Sequence, residues 1–249
     1  MNYHISSNAW EHILSFLSHE KGLHTKDTVA LRKFIEAIWS IARSGCQWRL
    51  LSKDYGNWRA VHKRFKYWSD ANIWEKLMRY VSDPDCEAIM IDTTTIRAHA
   101  CSAGYGKNSQ DREALGRSRG GFTTKIHAIV DALGNPLKFT LTSGQRHDIT
   151  QARQLTANIS NTIVLADKGY DSNTFIESLE SRNCKIVIPP RINRSMSREY
   201  DKHIYKERHL IECCFSKIKY FRRIFARFDK AAQTFLSFLN FVGTLIWLR

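Results

Sequence analysis

Acidic residues are scarce in this chain. Its 249 residues hold 24 Asp and Glu against 38 Lys and Arg, a formal net charge of +14 with a pI near 9.6. That balance points to a polyanionic partner, nucleic acid before membrane. Half of the excess is concentrated in one segment. Residues 191–228 hold 11 Lys and Arg and 4 Asp and Glu, a net of +7. The plainer alternative is a soluble basic protein with no specific partner. Paired-cysteine motifs are also missing. Cys46, Cys86, Cys101, Cys184, Cys213 and Cys214 form no Cys-x-x-Cys pair, and the ten histidines are dispersed. This excludes a spaced Cys/His zinc site, and scattered free thiols suit a reducing cytosol. The N-terminal MNYHISSNAW has no apolar core of a signal peptide. A long uninterrupted apolar run is missing as well. The tail AAQTFLSFLNFVGTLIWLR contains Gln233, Ser237 and Asn240, and its apolar residues recur every three or four positions. That predicts a core helix rather than a membrane span. There are no internal repeats.

What is present divides near residue 83. Hydrophobic residues make up 43% of the chain, enough for a substantial core. Up to about Ser82 the pattern is all-helical. Thr25 or Asp27 could cap a helix through Ile41 that breaks at Gly45. A second helix places Trp58, Val61, Phe65 and Trp68 on one face and Arg59, His62, Lys63, Arg64 and Lys66 on the others. A short helix from Ile73 to Tyr80 follows. Two readings stand here: a helix-turn-helix-like DNA-binding module, and a helical cap on the main domain. Pro84 marks a boundary, after which AIMIDTTTIRAHA reads as a strand. The glycine-rich segment from Ser102 to Phe122 reads as a mobile loop. Residues 124–144 read as a hairpin turning at Gly134–Asn135. Alternating helices and strands follow, up to Pro189–Pro190 and a last basic helix. The expectation is a helical region over 1–82 and a mixed α/β domain over 86–249.

Three carboxylates stand out. Asp92 and Asp167 each end an apolar strand by this reading, and sites in α/β sheets form beyond strand ends. Glu212 follows on the last basic helix. At about 100° per residue, with Tyr205 as zero, Arg208, Glu212 and Lys219 fall near about −60°, −20° and −40°, one narrow polar stripe. The bland reading of Glu212 is a surface pair with Arg208 one turn away. If the three carboxylates converge, their repulsion calls for cations. Hard oxygen donors suit Mg²⁺ or Mn²⁺, and two such ions about 4 Å apart serve phosphoryl transfer. An aspartyl-phosphate site would want a second Asp at position 94, where Thr94 stands.

These residues also carry a resemblance. Tyr205, Arg208, Glu212 and Lys219 have the spacing of the signature found in DDE transposases of the bacterial "IS five" family of insertion sequences. The segments IDTTTIRAHA, LADKGYDS, LGRSRGGFTTKIHAIVDA and SGQRHDITQA are similar to family segments, as are IWSIARSGCQWRLL and WRAVHKRFKYWSDANIWEKL. The likeness covers nearly the whole chain. It implies an RNase H-like core with Asp92, Asp167 and Glu212 as a catalytic, metal-holding triad. Arg208 and Lys219 would touch DNA phosphates, with Tyr205 beside them. Double-stranded DNA would be the substrate, namely terminal inverted repeats and target. A homo-oligomer would form the active complex, and the protein would be cytoplasmic and nucleoid-associated. Arg117, Arg119 and Lys125 around the Gly120–Gly121 pair are further candidate phosphate contacts, against a solvated loop. His147 and Asp148 are candidate auxiliary residues, against helix capping by Asp148. Lys63 and Arg64 are candidate DNA contacts of the N-terminal helices. Two alternatives remain: a DNA-binding relic or repressor without chemistry, and a general RNase H-like nuclease.

Overall fold

The structure is a computed structural model, and it describes residues 3–23, 25, 27–103, 112–118, 120–192 and 198–249. It contains two compact units. One joins the residues up to Ser82, a short segment beginning at His99, and the tail from Ile218 to Arg249. The other takes Asp83–Ala98 and the described residues onward through Lys217.

The first unit is helical, with α1 (Ser7–His19), α2 (Thr28–Ser44), α3 (Trp58–Asp70) and α4 (Ile73–Val81). Asp27 caps α2 by accepting the Val29 and Ala30 N–H groups, and Gly45 ends it in the left-handed conformation at φ +67°. A four-residue helix, α9 (Arg222–Phe225), and the 16-residue helix α10 (Ala232–Trp247) add to the unit near the end of the chain. The tail therefore does not fold with the α/β domain. The reason lies in its aromatic face. Phe238 stacks on Phe65 with ring centroids 4.4 Å apart, and Phe241 meets Trp74 edge-on at 5.3 Å. Gln233 donates from Nε2 to the Ser69 carbonyl and to Asn72 Oδ1. These contacts bury the apolar residues that the sequence pattern assigned to a core helix. Among the described residues no helix is long and apolar enough to cross a membrane.

The second unit is built on a mixed sheet. Its strands are β1 (Ala88–Ala98), β2 (Gly116–Ser118), β3 (Gly121–Val130), β4 (Pro136–Ser143), β5 (Ile163–Ala166) and β6 (Lys185–Val187). β3 pairs antiparallel with β1 on one side and with β4 on the other, and β5 and β6 extend the sheet from β1 in parallel. This order, with antiparallel strands on one side and parallel strands on the other, is the RNase H-like arrangement. The helices α5 (Ile149–Leu155) and α6 (Asn173–Glu180) cover one face. There Ile89, Ile91, Ile129, Val164 and Ala166 pack with Leu155, Phe175 and Leu179. Part of the glycine-rich segment is ordered strand. β2 pairs antiparallel with the start of β3, where the read loop was expected. The β3–β4 turn forms around Asp131, whose carboxylate accepts the N–H groups of Leu133 and Asn135. The chain then leaves through α7 (Lys202–Tyr205) and α8 (His209–Lys219).

Candidate active site

Asp92 does not end its strand. β1 runs six residues beyond it because the β-branched run Thr93–Ile96 keeps pairing with β3 as far as Arg97↔Thr123. What ends near Asp92 is the parallel pairing with β5, whose last partners are Ile91 and Ala166. One step further along both chains stand Asp92 and Asp167. Side chains alternate along extended backbone, so both aspartates fall on the face opposite Ile91 and Ala166. The two carboxylates feel each other, and Asp92 is 16% exposed at the side chain. Burial pushes the Asp92 pKa up. The Thr93 N–H, donated at 2.7 Å, and Arg208 pull it down, while Asp167 adds to the rise. Asp167 turns the chain into a short 3-10 segment by accepting the Gly169 N–H at 2.9 Å.

The polar stripe is carried on two helices rather than one. α7 ends at Tyr205, residues 206–208 form a 3-10 turn, and α8 resumes at His209. Arg208 nevertheless reaches Glu212 as an ion pair one turn away, and it donates from Nη1 to Asp92 Oδ2 at 2.5 Å. One guanidinium thus bridges a strand carboxylate and a helix carboxylate. Burial opposes the charge of Arg208, but Asp92, Tyr205 and Glu212 outweigh it and its pKa rises. Tyr205 is half-buried, with its ring edge-on to Tyr200 at 5.5 Å. Burial raises its pKa, and Arg208 lowers it in part. Glu212 itself is 57% exposed. Lys219, at the far end of α8, lines a cleft of the first unit.

The remaining predicted residues scatter. Lys125 pairs with Asp148 at 2.6 Å and donates to the Arg146 carbonyl, so both are engaged within the second unit. Asp148 begins α5 without a side-chain capping bond, and His147 is exposed. Arg117 is exposed on β2, while Arg119 lies outside the described residues. Lys63 is exposed on α3. Arg64 lies with its guanidinium 5.2 Å from the Phe34 ring centroid. Two buried residues escaped the sequence reading. His127 Nε2 meets Thr142 Oγ1 at 2.7 Å, but its Nδ1 has no partner. Tyr170 lies within the core cluster, its hydroxyl also without a partner, and burial raises its pKa with Asp148, Asp92 and Asp167 adding to the rise. Only the alternation in TKIHAIV, which puts His127 on an inward position, could have flagged the first.

Among the described residues no group of three His, Cys, Asp or Glu side chains is close enough to hold a metal ion. The donor chemistry still fits a hard divalent cation. Asp92 and Asp167 are adjacent, all their donors are oxygens, and a positive group already sits between Asp92 and Glu212.

Comparison with known proteins shows the family. A family model described as "Transposase DDE domain" matches residues 84–242, and one described as "Putative transposase of IS4/5 family (DUF4096)" matches residues 5–78. The chain therefore belongs to the DDE-domain transposases, of the IS4/5 type. A Brucella ovis protein named "Putative transposase for insertion sequence element IS6501" is 40% identical over 131 residues, 51% of this chain and 99% of that one. A Burkholderia cepacia protein named "Putative transposase for insertion sequence element IS402" is 29% identical over 153 residues, 57% of this chain and 67% of that one. Among solved structures, a piggyBac transposase synaptic complex with hairpin DNA overlaps 77% of this chain and 50% of that chain, at 12% identity and a TM-score of 0.41.

Proposed function

We propose that the chain binds the terminal inverted repeats of an insertion sequence, cuts the DNA at those ends and joins them to target DNA. What supports this is Arg208 joining Asp92 and Glu212, with Asp167 close enough to Asp92 to raise its pKa, in a member of the DDE transposase family. Asp92, Asp167 and Glu212 would hold Mg²⁺ or Mn²⁺. When bound, the metal supplies Lewis acidity for an attacking oxygen and a leaving oxygen. Asp92 is fixed for this role by the sheet and by the Thr93 N–H. Arg208 keeps the Asp92 and Glu212 carboxylates oriented and brings a cation to the place where a phosphate would approach. The surplus of positive charge, net +14, holds the rest of the DNA backbone. Two copies acting on paired ends are part of the same proposal.

One observation favours a second reading, a DNA-binding relic or repressor that does not cut. Arg208 already satisfies Asp92 and Glu212 as ion-pair partners, so the carboxylates are stable without chemistry. Labelled duplexes carrying the ends that flank the gene separate the two. The protein is incubated with them in Mg²⁺ or Mn²⁺, beside a Glu212→Gln variant. Cutting at the ends by the wild type alone is the expected result. Binding by both proteins with cutting by neither supports the relic instead.

A further inference from the structure

The cations of the first unit are not spread evenly. Arg43, near the end of α2, and Lys219, Tyr220, Arg222 and Phe225, around the turn from α8 into α9, line a cleft of about 690 Å³. Among the described residues no acidic side chain lines it. The cleft is held in shape by specific contacts. The Arg43 guanidinium lies 3.6 Å from the Tyr220 ring centroid, and its Nη1 donates to the Tyr220 carbonyl at 2.8 Å. Gly45 ends α2 at φ +67°, and a Cβ there would stand 3.0 Å from Arg222 Cβ. Only glycine lets the two segments approach this closely. Two aromatic rings at this cleft remain in solvent: Tyr220 is 66% exposed and Phe225 is 65% exposed. Exposed aromatic rings beside several cations give this cleft the composition of a nucleic-acid-binding surface.

We propose that this cleft takes a single-stranded stretch of DNA, with one unstacked base lying on Phe225 and the flanking phosphates held by Arg43, Lys219 and Arg222. Arg43 covers one face of Tyr220, which leaves Phe225 as the open platform. Each feature matches what unpaired strands require: cations that follow the backbone and a ring that accepts any base. A duplex does not use it, because its base faces are stacked on one another. The volume lies within the roughly 300–1,000 Å³ of sites that enclose a molecule of nucleotide size. Burial lowers the Lys219 pKa, which places its ammonium in a partly water-poor setting where a phosphate contact is stronger. The proposal rests on DNA as the substrate and adds where an unpaired strand would go.

The test uses the full chain and two oligonucleotides: a blunt duplex, and the same duplex with a single-stranded extension of about four nucleotides carrying 2-aminopurine. The wild type is expected to bind the extended DNA several-fold more tightly and to quench the probe. Phe225→Ala is expected to lose that preference, binding the extended DNA roughly 5- to 160-fold more weakly, the range of one base–aromatic stack. Its blunt-duplex affinity should stay unchanged. Phe225→Trp should keep both the preference and the quenching. Equal wild-type binding of the two DNAs overturns the proposal. So does quenching that survives Phe225→Ala, or a preference lost in Phe225→Trp. A nicking assay on the same DNAs keeps the two ideas apart. Preference without cutting upholds the cleft while removing the chemistry, and cutting without preference removes the cleft alone.

Discussion

Arg208 decides how the candidate site behaves at the scale of single residues. Its guanidinium is shared between Asp92 and Glu212, so any divalent cation approaching those carboxylates must compete with it. Arg208→Ala is therefore expected to bind Mn²⁺ more tightly than the wild type in the absence of DNA. The gain should be roughly tenfold or more, given that a hydrogen bond to a charged group is worth about 1.5–3 kcal/mol. Calorimetric titration of the DNA-free protein measures it, and unchanged affinity would show that Arg208 does not guard the carboxylates. His127 makes a separate prediction. Burial, with Lys125 adding to it and Asp148 opposing, lowers its pKa to about 4 from 6.5. The unfolded chain thus takes up the proton more readily than the folded one. The neutral ring's contribution to stability is complete above about pH 6.5 and is lost as pH falls toward 4. In urea titrations at several pH values, His127→Gln should flatten this acid slope. An identical slope in the variant would assign the acid loss elsewhere. Glu212 and its partner Arg208 were open to a sequence reader as site candidates because the spacing of Tyr205, Arg208, Glu212 and Lys219 is explicit. Tyr170 and the orphan nitrogen of His127 were not, since partner loss is a property of packing.

At the scale of elements, local pattern found most helices and strands and misjudged where they stop. Gly45 and Asp27 bound α2 through chemistry visible in the sequence, a left-handed stop and an N-cap. The end of β1 was not visible, because the pairing that prolongs it comes from β3, some thirty positions along the register. The same limit applies to β2, which glycine and mixed charge disguise as loop. A continuous last helix was expected as well. The 3-10 turn at residues 206–208 interrupts it while preserving the Arg208–Glu212 pair. One contact ties the hairpin to that helix. Gly134 sits at φ +80°, and a Cβ on it would stand 3.1 Å from Leu210 Cβ and from the Leu210 carbonyl oxygen. Gly134→Ala therefore forces a left-handed alanine against the first turn of α8. Its expected cost is about 1–2 kcal/mol from the backbone conformation, with more from crowding. A lowered midpoint in urea unfolding checks it. An unaltered midpoint would mean that the turn moves aside freely.

At the scale of the whole molecule, the sequence order and the folding order part company. A boundary near residue 83 is marked in the sequence by Pro84 and a change of pattern, and the first stretch of the helical unit stops at Ser82. That unit also claims the tail from Ile218, although about 135 residues of chain separate the two (218 − 83). Nothing local in the sequence announces this, because an amphipathic helix states which face it buries and not against what. The physical reason is the aromatic surface of α3 and α4. Phe65, Trp68 and Trp74 are fully buried, and Phe238 and Phe241 of α10 supply the rings that close over Phe65 and Trp74. Without α10 those rings face water, and a piece of 82 residues has little other core to draw on. A fragment of residues 1–82 is therefore expected to lack cooperative thermal unfolding. Joining residues 218–249 to it through a flexible linker should restore a sharp transition. Phe238→Ala in the full chain should cost about 3–5 kcal/mol, the usual range for emptying a buried phenylalanine site. Circular dichroism melting of the two fragments decides the matter. A cooperative melt of the short fragment would make the tail an accessory. Cooperativity only in the joined fragment would make the N-terminal helices and the tail one folding unit, interrupted in sequence by the domain that carries Asp92, Asp167 and Glu212.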